Sequence, residues 1–68
     1  MELTVNGESR RFDEDALSVA GLIERLGLGG RRVAVEVNEA IVRRAEYGER
    51  MVCGGDRVEI VHFVGGGA

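Results

Sequence analysis

Leu3 and Val5 alternate with polar neighbours from Glu2 to Asn6, the period-two pattern of a strand with one covered face. Asn6-Gly7 follows, and because both residue types tolerate positive φ the pair predicts a two-residue hairpin, with Glu8 to Phe12 as the strand that pairs back. The acidic stretch Asp13-Glu14-Asp15 leads to Ser18, a favourable N-cap. Val19, Leu22, Ile23 and Leu26 then recur at helical spacing and lay one apolar stripe along a helix of two to three turns. Gly27 suits the left-handed position that ends such a helix, with Leu28 folding back and Gly29-Gly30 leading away.

Alternation returns at Arg32 to Val37, with Val33, Val35 and Val37 on one face and Ala34 and Glu36 on the other. Asn38-Glu39 predicts a tight turn into a short strand, Ala40 to Val42. Arg43 to Glu49 has no sustained period, and Tyr47 is expected to anchor it. Met51 and Val52 allow one more short strand before the Gly54-Gly55-Asp56 turn, which launches a final alternating strand from Arg57 to Val64. The predicted order is β-β-α-β-β-β. One main helix packed on one face of a mixed sheet is an α+β arrangement, and a hairpin followed by a helical crossover is the order of a β-grasp, or ubiquitin-like, fold. The domain is expected to span residues 1–64, and residues 65–68 to form a flexible glycine-rich tail.

The chain's 68 residues are enough for one domain, which at this size buries only about 60% of the surface its unfolded chain exposes. A composition of 44% hydrophobic and 31% charged residues belongs to a globular protein rather than a disordered or membrane-embedded one. The net charge is −3, and nine arginines are scattered among twelve acidic residues. Without a basic stripe, nucleic acid is not an expected partner. Cys53 is the only cysteine, which excludes an internal disulfide, and no basic-plus-apolar leader opens the chain, so the expected location is cytoplasmic. No apolar run approaches the roughly 20 residues that span a bilayer, so no membrane role is expected.

Conventional catalytic constellations are not expected here. One histidine and one cysteine are too few for a Cys/His metal cluster, and Cys53 beside a turn fits a small packing residue better than a nucleophile served by His62. Asp13 with Asp15 and Glu36 with Glu39 fall in turns or on exposed faces, where solvated charge is the simpler account. Gly27, Gly29 and Gly30 close a helix, whereas a phosphate loop must open one. What remains is the end of the chain, where Gly65, Gly66 and Gly67 follow a well-patterned strand and cannot contribute to a core. A stretch without Cβ atoms can thread a narrow tunnel and present an unhindered carboxylate; a frayed end or a cloning scar is the bland alternative.

On these elements the sequence closely resembles the ThiS family, the ubiquitin-like sulfur carrier proteins of thiamine biosynthesis. The likeness covers nearly the whole chain. It is carried by the Ser18 to Leu26 helix, by Val35-Glu36-Val37-Asn38-Glu39-Ala40-Ile41-Val42, and most specifically by Gly55-Asp56-Arg57-Val58-Glu59-Ile60-Val61-His62-Phe63-Val64-Gly65-Gly66-Gly67. The resemblance implies a carrier that catalyses nothing and binds no cofactor. An E1-like adenylating enzyme would use ATP to activate the terminal glycine carboxylate, and sulfur from a cysteine desulfurase system would then displace AMP. The resulting thiocarboxylate would be delivered to thiazole synthase. Gly67 corresponds to the sulfur-carrying residue, with Gly65 and Gly66 threading beside it into partner active sites. The family ends on Gly-Gly, whereas Ala68 follows here; removal by a peptidase, a cloning or database origin, and tolerance by the activating enzyme each accommodate it.

Alternation in the last strand turns Val58 and Ile60 toward the helix and Val61 and Phe63 outward. Val61, Phe63 and Val64, with Ala34 on the neighbouring strand, are therefore the expected partner-binding patch, the alternative being that Phe63 covers the domain's own edge. Other roles compatible with such a tail are a small subunit for molybdopterin synthesis, a protein modifier attached to lysines, and a binding module whose tail is incidental.

Overall fold

A computed structural model describes residues 1–63. Val64, expected to end the last strand, and Gly65, Gly66, Gly67 and Ala68, the expected tail, lie outside the described residues. The first hairpin joins β1 (Glu2–Val5) to β2 (Glu8–Arg11) in antiparallel register, Val5 opposite Glu8. Asn6 and Gly7 have φ of 50° and 83°, the double positive φ of a type I′ turn, whose twist matches that of the strands it joins.

The chain next forms β3 (Ala16–Ser18) and α1 (Val19–Arg25). Ser18 caps the helix, its Oγ accepting from the Gly21 N–H at 3.0 Å. At the other end Gly27 takes φ 77°; its N–H donates to Glu24 O and that of Leu28 to Ile23 O, both at 3.0 Å. These paired bonds satisfy carbonyls that the helix end would otherwise leave open. Arg25 makes an ion pair with Glu14.

β4 (Val33–Val37) and β5 (Ala40–Val42) form a second two-residue hairpin, followed by a 3₁₀ turn at Arg44–Glu46, β6 (Met51–Cys53) and β7 (Arg57–His62). Tyr47 anchors the irregular stretch as expected. Its hydroxyl donates to Val33 O at 3.1 Å, and its carbonyl accepts from the Ala20 N–H at 2.8 Å.

Five strands make one sheet in the order β2-β1-β7-β4-β5. β1 runs parallel to β7 and the other neighbours are antiparallel. Leu3, Val35, Val37 and Val58 from the sheet's inner face share one buried cluster with Val19, Leu22 and Ile23 of the helix. This is the expected α+β, β-grasp architecture.

The order adds two strands to the expected β-β-α-β-β-β: β6, which the sequence allowed at Met51 and Val52, and β3. Ala16–Ser18 is a strand, paired antiparallel with β6 in a separate two-stranded sheet, where the sequence suggested only an approach to the N-cap. Three residues are too short to display alternation, and the partner is distant in sequence. β6 adds fully buried Val52 to the core.

Glu39 carries the clearest backbone strain, at φ 71° in the second I′ turn. A left-handed residue with a Cβ costs about 1–2 kcal/mol, which glycine avoids. Glu39→Gly is expected to stabilise the domain by about 1 kcal/mol. Denaturant titration checks this, and an unchanged or lower midpoint would contradict it.

β7 is launched by Asp56. Its carboxylate accepts from the Cys53 N–H at 2.9 Å and from Asn38 Nδ2 at 3.1 Å. Partial burial is the largest single influence and raises its pKa, but the bonds from Cys53 and Asn38, with the charge of Arg50, outweigh it and leave the carboxyl below its ordinary value.

Candidate functional site: the outer face of the sheet

β7 lies between β1 and β4, so its outward side chains stand near the middle of the uncovered face. Val58 and Ile60 are buried, while Val61 and Phe63 are each 59% exposed. The strand alternates as the sequence predicts. Register places Ala34 of β4 directly opposite Val61, and Ala34 is exposed. Three of the four expected patch residues are thus on the described outer face; Val64 lies outside the described residues.

The structure adds Ile41, which sequence reasoning missed. It is 76% exposed on β5, opposite Glu36, and Glu36 in turn faces Glu59 of β7. The I′ hairpin held the clue: Val37 pairs with Ala40, so Ile41 must share a face with Glu36. A shallow concavity of about 350 Å³ results, lined by Ala34, Val35, Glu36, Ile41, Glu59 and Val61. Its lining combines apolar Ala34, Ile41 and Val61 with the carboxylates of Glu36 and Glu59. Such a surface suits contact with another protein, because association would remove its exposed apolar groups from water.

Among the described residues, Cys53 and His62 are not brought together. Cys53 is exposed on β6, opposite Ala16, whereas His62 ends β7 opposite Val33; they belong to different sheets. Among the described residues no cluster of histidine, cysteine, aspartate or glutamate could hold a metal ion. Among those residues, too, no helix is long and apolar enough to cross a membrane.

Past the end of β7 the Phe63 N–H still pairs with Arg32 O at 3.0 Å. The model of the ThiS family matches residues 3–67, from the first strand through Gly67. The chain belongs to the ThiS family. Over 68 residues it is 44% identical to a thiazole synthase of Paramagnetospirillum magneticum, covering 100% of this chain and 21% of that protein. This ThiS-family chain therefore spans about a fifth of that relative's length. It is 37% identical over 65 residues to the sulfur carrier protein ThiS of Bacillus subtilis, covering 96% of this chain and 98% of that one. The crystal structure of a thiamine biosynthesis protein, ThiS, from Geobacter metallireducens superposes with a TM-score of 0.85 at 36% identity, covering 98% of this chain and 100% of the other.

Proposed function

We propose that this chain is a sulfur carrier for thiamine thiazole formation and is not itself an enzyme. Residues 1–64 serve as the β-grasp body and residues 65–68 as its arm. An E1-like enzyme uses ATP to adenylate the carboxylate of the arm, which belongs to Gly67 in a chain ending there. Sulfur from a cysteine desulfurase system displaces AMP, and the thiocarboxylate passes to thiazole synthase. The carrier holds no cofactor of its own and works in the cytoplasm.

The observation that carries this reading is the family match extending through Gly67, just beyond the exposed apolar residues Val61 and Phe63. Gly65, Gly66 and Gly67 have no side chains to obstruct entry into a partner's active site. Val61, Phe63 and Ala34, with Ile41 and with Val64 at the root of the arm, are the surface on which partners seat the body. Thiazole synthase as recipient is supported by a relative of that name containing a segment 44% identical to this chain over its whole length.

Intact mass spectrometry after incubation with ATP, a cognate activating enzyme and a sulfur source tests the proposal. The expected product gains the mass difference of one oxygen-to-sulfur exchange on a chain ending at Gly67. No exchange under conditions that load another ThiS protein would overturn the reading. Capture by the large molybdopterin synthase subunit in preference to thiazole synthase would redirect the carrier to that pathway.

A further inference from the structure

β7 needs support on both edges if it is to aim the chain beyond it. β4 supplies one edge as far as Phe63, whose N–H reaches Arg32 O. On the other edge β1 pairs Thr4 with Arg57 and Val5 with Val58 and then ends. The Asn6 N–H continues the ladder to Val58 O at 2.9 Å. In a regular parallel ladder the Asn6 carbonyl would next accept from the Ile60 N–H, but the I′ turn at φ 50° carries that carbonyl away.

The side chain takes its place. Asn6 Oδ1 accepts from the Ile60 N–H at 2.7 Å, and Asn6 Nδ2 donates to Ile60 O at 3.0 Å. One carboxamide supplies both the acceptor and the donor that further residues of β1 would have provided. Among the described residues no hydrogen bond holds that edge beyond Ile60.

We propose that Asn6 is a positioning residue for the glycine arm: by clamping Ile60 it fixes the direction in which β7 delivers the chain past Phe63. The inference rests on the carrier reading above. Asn6 lies outside the Val61 and Phe63 seating surface, so its loss alters how well the arm is aimed and not how tightly the body docks. Misplacement of reacting groups by an ångström costs up to about a hundredfold in rate. Since β4 still holds the other edge, the expected loss is smaller, about tenfold.

Asn6→Gly isolates this role because glycine keeps the positive-φ turn while removing the carboxamide. With full-length carrier, activating enzyme, ATP and a sulfur source, the variant is expected to lower kcat for thiocarboxylate formation about tenfold and leave KM for the carrier unchanged. Amide exchange should accelerate at Ile60 and stay protected at Leu22 and Val35. Asn6→Asp keeps the acceptor, loses the donor, and should restore part of kcat. An Asn6→Gly variant with the wild-type kcat overturns the proposal. So does a fall in kcat that comes only with lost protection at Leu22 and Val35, which would make Asn6 a folding residue. Failure of the wild-type chain to form thiocarboxylate would instead overturn the carrier reading itself.

Discussion

Phe63→Asp is expected to leave the domain folded and to lower activation of the arm by roughly 30- to 700-fold, the effect of losing an aromatic anchor worth roughly 2–4 kcal/mol. The ring is 59% exposed on the outer face, so little core packing depends on it. In a docked complex a carboxylate there would be desolvated against the apolar surface that the ring would otherwise contact. Thermal unfolding should differ from wild type by no more than about 0.5 kcal/mol, the usual range for a surface change. Phe63→Leu, which keeps an apolar side chain, should retain most activity. Wild-type adenylation kinetics for the aspartate variant would remove Phe63 from the seating surface. A collapsed melting temperature would instead mean that the ring holds the domain's own edge.

Leu22→Ala carries the largest expected cost to the fold. Leu22 is 0% exposed on the inner stripe of α1, in one cluster with Val35 and Val58 of the sheet. Deleting its branched end removes apolar contact and leaves a cavity, costing about 2–5 kcal/mol. A chain of 68 residues has roughly 3–10 kcal/mol to lose. The melting temperature, followed by circular dichroism, should therefore fall by about 8–40 °C. A fall of less than about 4 °C would mean that the core closes around the gap. Arm activation should fail in proportion to the unfolded fraction, unlike Phe63→Asp, where activation fails in a folded protein.

Most of the local architecture was legible in the chain because it depends on interactions within a few residues. Asn6-Gly7 and Asn38-Glu39 specify turns through the φ values their residues tolerate. Ser18 and Gly27 bracket a helix through side-chain capping and a left-handed end, and Val19, Leu22 and Ile23 mark its buried side. The same locality made the outward display of Val61 and Phe63 readable, since alternation along one strand decides it.

Sequence by itself therefore determined the elements, their buried faces and the run of glycines after the last strand. Tertiary structure decided which strands are neighbours, and with that the site. Only pairing across the chain places β7 between β1 and β4, sets Ala34 against Val61, gathers Ile41, Glu36 and Glu59 into one concavity, and makes a strand of Ala16–Ser18 by giving it β6. The turn asparagines illustrate the division. Their tolerance of positive φ is a local property, but Asn6 also stands in for a missing strand at Ile60, and Asn38 Oδ1 accepts from the Arg57 N–H at 2.9 Å. Each carboxamide replaces a main-chain carbonyl that its own turn diverts. No short-range pattern encodes that substitution, because its partner is brought alongside only by folding.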